Sequence, residues 1–200
     1  MMRVAVIDSG GANIGSVRYA LDRLGVDSVL TSDADIIYHS ERVILPGVGA
    51  AGVAMKRLHE LDLINVIRAL QTPLLGICLG MQLLFESSEE GDVACLGLLP
   101  GRVAKIPEAP GIRIPHMGWN RLEPLRESSL LECIEKGEPC YFVHSYAAPI
   151  THDCLAAATH GTRFAALVQR DNIAGAQFHP ERSGRTGEKL LENFVRKGCA

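Results

Sequence analysis

Short apolar runs alternate with segments of helical periodicity in the first half of the chain, and this alternation is the strongest constraint on its fold. Residues 4–7 form a β-rich run, and the apolar residues of 14–24 recur at helical spacing before Gly25. Residues 73–77 form a further run that is apolar on both faces. Continuous apolar strands separated by helices are typical of a parallel sheet that is covered by helices on both sides.

The rest of the pattern completes one α/β domain. Further strands are predicted at residues 28–31 and 43–45, and further helical segments at residues 53–70, 81–85 and 187–197. From about residue 96 to 176 the sequence pattern changes to that of short strands separated by turn residues, which predicts an antiparallel or mixed extension of the sheet. These strands are predicted at residues 143–147, 155–158, 165–169 and 173–178. We therefore predict a single flavodoxin-like domain over residues 1–200, with a mostly parallel central sheet and helices on both faces.

Composition and charge exclude several classes of partner. The 200 residues are 47% apolar and 22% charged, with a net charge of −3. Because the 20 basic residues are dispersed among 23 acidic ones, there is no basic stripe for nucleic acid. The N-terminus has only a four-residue apolar run before Asp8, too short for a signal peptide, and no window is long enough to span a membrane. The six cysteines include no CxxC pair, which favours a reduced, cytoplasmic protein without a metal site.

Cys78 lies where a predicted strand meets a predicted helix, in the stretch TPLLGICLGMQLLF (residues 72–85). Gly76 and Gly80 flank it and allow a sharp turn that exposes the intervening side chain at the sheet edge. The following helix N-terminus favours a thiolate, and the backbone N–H of Leu79 would face a substrate oxyanion. Turns of this kind also occur without catalysis, and most cysteines are small core residues.

A thiol nucleophile needs a base and a group that orients the base, and His179-Pro180-Glu181 is the best candidate pair. Proline biases His179 toward an extended conformation, in which residues i and i+2 point to the same side. Glu181 could therefore reach the imidazole. The alternative is an ordinary salt bridge on a surface loop.

The loop Pro46-Gly47-Val48-Gly49 follows the predicted strand 43–45 and could place backbone N–H groups beside the cysteine. It lacks the lysine of a phosphate-binding loop and the full dinucleotide fingerprint, so the alternative is a plain strand-to-helix turn.

Together these residues resemble the class I glutamine amidotransferases, which have a Cys at G-x-C-x-G and a His and Glu at H-P-E. Five longer motifs resemble, more closely, the glutaminase subunits of imidazole glycerol phosphate synthases. They are GICLGMQLL (76–84), PGVG (46–49), PHMGWN (115–120), YFVHSY (141–146) and QFHPERSG (177–184). Met81 and PHMGWN discriminate best, because many other members of the class have His after the second glycine of the turn.

The resemblance implies a role for each matching residue. Cys78 would attack the side-chain amide of L-glutamine, His179 would pass a proton to the leaving ammonia, and Glu181 would hold the imidazole. Two further sets are implied. Leu79 with Val48 or Gly49 would supply oxyanion donors, and the other end of glutamine would be bound by Gln82, His144, Ser145 and Tyr146. For His144 and for His116, a purely structural, hydrogen-bonded role is the alternative.

The resemblance also implies a partner, a (β/α)₈-barrel cyclase/synthase subunit that receives the ammonia and forms a heterodimer with this chain. In this family the glutaminase has little activity until that subunit binds its ribonucleotide substrate. The oxyanion loop is therefore expected to change conformation when the enzyme is activated. Candidate interface or relay residues are Asn13, Met117, Trp119 and Asn120, although a lone tryptophan is more often a core residue. No metal or organic cofactor is implied.

Several alternatives stay open at this point. The chain could serve another synthase, such as that of anthranilate, aminobenzoate or pyridoxal phosphate, although Met81 and PHMGWN argue against this. It could be a catalytically dead scaffold that kept the fold, or a thiol hydrolase of γ-glutamyl peptides that needs no partner.

Overall fold

The computed structural model describes residues 3–10 and 14–199, and these residues alternate strands and helices as the periodicity predicts. The strands are, in chain order, β1 (Arg3–Ile7), β2 (Asp27–Thr31), β3 (Arg42–Gly47), β4 (Leu74–Cys78), β5 (Phe85–Ser88), β6 (Val93–Ala94), β7 (Leu99–Lys105), β8 (His116–Arg121), β9 (Glu123–Pro124), β10 (Pro139–His144), β11 (Tyr146–Ala147), β12 (Cys154–His160), β13 (Thr162–Arg170) and β14 (Ile173–Ala176). The helices are α1 (Ile14–Arg23), α2 (Ala34–Tyr38), α3 (Ala51–Glu60), α4 (Leu63–Arg68), α5 (Leu79–Leu83) and α6 (Gly184–Lys197). Short 3₁₀ turns lie at Ser129–Leu131 and Pro180–Arg182.

One sheet carries most of the fold. Across the described residues its strand order is β2-β1-β3-β4-β14-β13-β12-β9. The first five strands are parallel, and β13, β12 and β9 then add in antiparallel fashion. The predicted parallel sheet with an antiparallel extension is therefore confirmed.

Alternate residues of the parallel strands point to opposite faces of the sheet and pack into two separate hydrophobic cores. Val4 and Val6 pack with α1 and α6 on one face, and Ala5 and Ile7 pack with α3 and α4 on the other. Strand β4 is buried at every position. A strand that is covered on both faces has no polar side to alternate with, which explains the continuous apolar run. Within the described residues, none of the helices has both the length and the apolar character needed to cross a bilayer.

Two smaller sheets cover the region around the end of β4. Strand β10 pairs with β8, and β11 belongs to a four-stranded sheet with β7, β5 and β6. The single strand predicted at residues 143–147 is therefore wrong. His144 pairs with His116 in one sheet and Tyr146 pairs with Lys105 in another, so the chain changes sheets at Ser145.

Helix boundaries differ from the periodicity at two places. The helix predicted at residues 53–70 is broken into α3 and α4, because Asp62 adopts a left-handed conformation with φ of 55°. The helix predicted at residues 81–85 starts two residues earlier and ends at Leu83. Phe85 instead starts β5 and pairs with Leu99, a nonlocal contact that overrides the local apolar pattern. Helix α2 was not predicted, and the Asp33 carboxylate caps it by accepting from the N–H groups of residues 35 and 36.

Candidate active site

Cys78 lies at the point where β4 ends and α5 begins, in a backbone conformation that few residues adopt. Its φ is 53° and its ψ is −110°. Residues other than glycine rarely adopt a positive φ, because this backbone conformation is strained for them. Strained residues of this kind are concentrated at functional sites. The predicted strand-to-helix turn with Cys78 at its apex is therefore present.

The flanking glycines are required by close backbone contacts. A Cβ atom on Gly80 would lie 1.8 Å from the carbonyl oxygen of Leu45 in β3. A Cβ atom on Gly76 would lie 2.7 Å from the carbonyl group of Gly80. The turn is thus pressed against the neighbouring strand, and this contact fixes the position of Cys78 relative to β3.

His179 and Glu181 follow β14, the strand adjacent to β4. The His179 Nδ1 atom lies 2.9 Å from the Glu181 Oε1 atom, and both side chains are almost completely buried. His179 and Cys78 line the same cavity, and the interaction with Cys78 raises the pKa of His179. The three residues predicted as nucleophile, base and orienting group are therefore together in the fold.

Contacts from the surrounding elements hold the His179 backbone. Its N–H donates to the carbonyl of Tyr141 at 2.9 Å, and its carbonyl accepts from the Ser183 hydroxyl at 2.6 Å. Helix α6 packs so closely that a Cβ atom on Gly187 would lie 1.9 Å from the Pro180 carbonyl oxygen. The base is thus held by the fold as well as by its carboxylate.

The electrostatics of this group favour a protonated His179. Burial alone would lower the pKa of His179, but the hydrogen bonds to Cys78 and Glu181 and the negative charges of these groups raise it to about 10. The imidazolium is therefore stabilised between a sulfur and a carboxylate. Such a ring can give a proton to a leaving group and take one back later.

A cavity of about 260 Å³ opens beside the thiol. Twelve residues from several elements line it, namely Val48, Gly49, Cys78, Leu79, Gln82, Glu90, Pro115, Val143, His144, Ser145, Tyr146 and His179. Every residue that the sequence assigned to the nucleophile, the base, the oxyanion donors and the glutamine site lines this cavity.

Glu90 is a cavity residue that the sequence analysis missed. Its Oε2 atom accepts a hydrogen bond of 2.8 Å from the backbone N–H of Ala51, the first residue of α3. The carboxylate therefore both caps a helix and places negative charge on the cavity wall. Nothing in the local sequence SSEEGD separates Glu90 from Glu89, so no sequence pattern could have identified it.

The register of the sheet brings the predicted oxyanion loop to the thiol. Gly47 pairs with Cys78 across β3 and β4, and a Cβ atom on Gly47 would lie 3.0 Å from the backbone nitrogen of Gly80. Val48 and Gly49 follow directly and line the cavity together with Leu79. The loop can approach this closely because residue 47 has no side chain.

Gln82 is buried and its amide nitrogen is bound by the protein. Nε2 donates to the carbonyl oxygen of Tyr146 at 2.8 Å and to Oε1 of Gln177 at 2.9 Å. A contact between Gln82 and a molecule in the cavity would therefore be made by its Oε1 atom.

His144 is held by hydrogen bonds at both ring nitrogens. Nδ1 donates to the Tyr146 carbonyl at 2.8 Å, and Nε2 accepts from Nδ1 of His116 at 2.9 Å. Burial lowers the pKa of His144 to about 4 and that of His116 to about 3, so both rings are neutral at neutral pH. The hydrogen-bonded structural role is present for both, and His144 also contributes to the cavity wall.

Three of the four interface candidates lie on β8, and the fourth, Asn13, lies outside the described residues. Met117 is 64% exposed and Trp119 is 58% exposed, so the tryptophan is not a core residue. The Asn120 amide donates to Nε2 of His116 at 3.3 Å and to the Thr159 carbonyl at 2.8 Å. Asn120 is thus linked through His116 to the wall of the cavity.

Of the six cysteines, Cys133 is exposed and the other five are buried. Within residues 3–10 and 14–199, no three His, Cys, Asp or Glu side chains are grouped as a metal site requires.

Comparisons with known proteins agree with this geometry. The family model for glutamine amidotransferase class-I matches residues 5–197. The chain is 60% identical over 195 residues to the imidazole glycerol phosphate synthase subunit HisH of Xanthomonas euvesicatoria pv. vesicatoria, covering 98% of each protein. It is 60% identical over 200 residues to the protein of the same name from Xylella fastidiosa, covering 100% of each.

Solved structures with low sequence identity share the fold. The chain superposes on the structure of PurLQS from Thermotoga maritima with a TM-score of 0.72 and 21% identity, over 97% of each chain. A crystal structure described as a glutamine amidotransferase gives a TM-score of 0.72 and 20% identity, over 96% of each chain. The fold, the full-length family match and the high identity to curated relatives lead to one conclusion: this chain belongs to the class-I glutamine amidotransferase family.

Proposed function

We propose that this chain is the glutaminase subunit of an imidazole glycerol phosphate synthase and hydrolyses L-glutamine to glutamate and ammonia. The observation that carries the proposal is the placement of Cys78 and His179 on the wall of one cavity of about 260 Å³, with the Glu181 carboxylate 2.9 Å from Nδ1 of the imidazole. The relatives named as subunits of this synthase, at 60% identity over their full length, support the choice of pathway.

The chemistry begins with attack of the Cys78 sulfur on the side-chain amide carbon of glutamine. The tetrahedral intermediate collapses, the C–N bond breaks, and the imidazolium of His179 gives its proton to the departing nitrogen, which leaves as ammonia. A glutamyl thioester remains on Cys78. Water then attacks the thioester, His179 takes the proton of the water, and glutamate leaves as the thiolate re-forms.

Glu181 maintains the base through both half-reactions. Because its carboxylate accepts the Nδ1 proton of His179 at 2.9 Å, Nε2 is the ring nitrogen that exchanges protons with the sulfur, ammonia and water. Backbone N–H groups of Leu79 and of Val48 or Gly49 would stabilise the oxyanion in each tetrahedral intermediate.

The amino-acid end of glutamine would occupy the part of the cavity formed by Gln82, Glu90 and the segment His144-Ser145-Tyr146. The Glu90 carboxylate and the Gln82 Oε1 atom accept hydrogen bonds, which suits the α-ammonium group of the substrate. The α-carboxylate would then lie toward Ser145 and Tyr146.

The ammonia is consumed by a second subunit. We propose that a (β/α)₈-barrel cyclase/synthase subunit binds over the exposed Met117 and Trp119 side chains and receives ammonia directly, in the cytoplasm. Its products would be imidazole glycerol phosphate and aminoimidazole carboxamide ribotide. Direct transfer avoids a loss of reactive ammonia, because most ammonia released into water at neutral pH is protonated and lacks a nucleophilic lone pair.

The test replaces Cys78 by alanine in the complex with the barrel subunit. Cys78→Ala should abolish synthesis that depends on glutamine and leave synthesis from added ammonium salts intact. Cys133→Ala is the matched control, because Cys133 is exposed and does not line the cavity. Loss of both syntheses with the partner still bound would refute the nucleophile assignment. Stimulation of glutamate release only by a different synthase subunit would refute the pathway.

A further inference from the structure

Gln177 is completely buried beside the catalytic thiol, and the mechanism above does not use it. Its side chain has 0% exposure, and it lies two residues before His179. Its backbone N–H donates to the Ala166 carbonyl at 2.9 Å, so the chain is held in the sheet at this point. A buried amide of this size is retained in a core only when its polar atoms are satisfied.

The orientation of the Gln177 amide follows from a single backbone carbonyl. The Tyr146 carbonyl can only accept a hydrogen bond, so the Gln82 atom 2.8 Å away from it must be the nitrogen Nε2. The second N–H of that nitrogen meets Gln177 at 2.9 Å, so Gln177 must present its oxygen there. Its own Nε2 atom is then the one that lies 3.8 Å from the Cys78 sulfur.

We propose that Gln177 is a further functional residue of the glutaminase site, whose amide N–H stabilises the Cys78 thiolate while its amide oxygen holds Gln82 in its substrate-binding orientation. This inference rests on the proposed function for the role of Gln82, but its effect on the thiol does not. One side chain would thus link the nucleophile to the substrate pocket.

The surroundings of the sulfur show why a donor is needed there. As a thiol, Cys78 can donate its S–H to the Val143 carbonyl at 3.7 Å. As a thiolate it has no proton to donate, and the Val143 carbonyl then faces a negative sulfur. His179 and Gln177 are the side chains that offer N–H groups to the thiolate in the described structure. The Gln177 donor therefore favours the thiolate over the thiol.

Two substitutions separate the two halves of the role. Gln177→Glu keeps an oxygen for Gln82 but removes the N–H donor and adds a negative charge near the sulfur. Gln177→Met has a similar length and removes both hydrogen bonds. The titratable groups that share the cavity with Cys78 are Glu90, His144, Tyr146 and His179, and neither substitution changes them.

The first measurement is the pH dependence of alkylation of Cys78 by iodoacetamide, read by mass spectrometry on the proteolytic peptide that contains Cys78, because the exposed Cys133 also reacts. The midpoint should rise by about one pH unit in Gln177→Met, the effect expected when a charged group loses one hydrogen bond. It should rise further in Gln177→Glu, because the new carboxylate also repels the thiolate. The second is glutamine hydrolysis in the complex with the synthase subunit. Gln177→Glu should lower kcat about tenfold with little change in KM, whereas Gln177→Met should also raise KM about tenfold, because Gln82 is no longer held.

The matched control is Gln169→Met, which also removes two hydrogen bonds of a glutamine side chain, to Ser128 and to the Cys199 carbonyl, away from the cavity. It should leave the alkylation midpoint unchanged. Gln82→Met is a second test that leaves Gln177 itself in place. It removes the hydrogen bond to the Gln177 oxygen, so the amide is no longer held with its N–H toward Cys78, and the alkylation midpoint should again rise.

The proposal would be overturned if the folded variants Gln177→Glu, Gln177→Met and Gln82→Met all kept the wild-type alkylation midpoint. It would also be overturned if Gln169→Met shifted the midpoint as much as the Gln177 variants do. Alkylation needs neither glutamine nor partner. If the midpoint shifts while the wild-type complex releases no glutamate, the proposed function fails and the donor role of Gln177 stands.

Discussion

Replacement of Gly80 by alanine should disable the site through a backbone clash. The new Cβ atom would lie 1.8 Å from the Leu45 carbonyl oxygen, whereas real Cβ contacts essentially never fall below 3.0 Å, so β3 and α5 must separate by at least 1.2 Å. Strand β3 ends at Gly47 and α5 follows Cys78, so this separation moves the predicted oxyanion loop away from the thiol. A misplacement of about 1 Å typically costs roughly 100-fold in rate.

The same clash lowers stability. Forcing a methyl group into a closely packed region costs about 3 kcal/mol at the upper end of the usual range, which for a chain of this size lowers Tm by roughly 6–12 °C. The assays are thermal unfolding of the isolated chain and kcat for glutamate release in the complex. Gly52→Ala is the control, because Gly52 lies in α3 with no atom within 4 Å of its added Cβ and should be neutral or slightly stabilising. A folded Gly80→Ala protein with unchanged Tm and kcat would refute the close contact on which the argument depends.

Two further predictions concern His179. Glu181→Gln removes the carboxylate that accepts the hydrogen bond from His179 Nδ1 at 2.9 Å. Measured as glutamate release, kcat should therefore fall by about 10²–10⁴-fold with little change in KM. A kcat within threefold of wild type would contradict the orienting role of Glu181. The second concerns pH. The folded-state pKa of His179, about 10, lies above its ordinary value of 6.5. Its contribution to stability is therefore fully present below about pH 6.5 and is lost as the pH rises through about 10. Urea unfolding should show this loss in the wild type and a flatter profile in His179→Asn, and parallel profiles would contradict the raised pKa.

The residues proposed as nucleophile, base and orienting group could be predicted from sequence because each lies in a short pattern with its own physical meaning. The two glycines around Cys78 specify a tight turn, and His179-Pro180-Glu181 places a base and a carboxylate on one side of the chain. Their meeting depends on a nonlocal fact, the pairing of β14 with β4, in which Ala176 lies opposite Ile77. The sequence predicted that Cys78 and His179 each follow a strand, but no local pattern specifies the order of the strands within the sheet.

The wrong boundaries arose where tertiary contacts override local periodicity. Residues 81–85 are apolar enough to continue a helix, but the Phe85 backbone is taken up by pairing with β7. Residues 143–147 have the composition of one strand, yet His144 and Tyr146 pair with different sheets. Both sites lie around the cavity, where the chain must turn away from regular structure to expose side chains.

The supporting residues were missed for a related reason. Glu90 lies in a polar loop and is recognisable only through its contact with the start of α3. Gln177 lies inside the motif QFHPERSG, but a buried glutamine that follows a strand has no chemical signature by itself. Its meaning depends on two partners that lie 95 and 99 residues away along the chain.

The hydrogen bonds divide the site into a fixed part and an adjustable part. Cys78 is fixed by the glycine contacts, His179 by Tyr141 and Ser183, and Gln82 by Tyr146 and Gln177. Gly49, by contrast, has a φ of 97° and no atom within 4 Å of a built Cβ, and it belongs to the predicted oxyanion loop. A partner subunit that activates the enzyme would therefore act at lower cost by repositioning residues 48–49 than by moving the thiol or its base. We accordingly expect partner binding to raise kcat while the alkylation midpoint of Cys78 changes little.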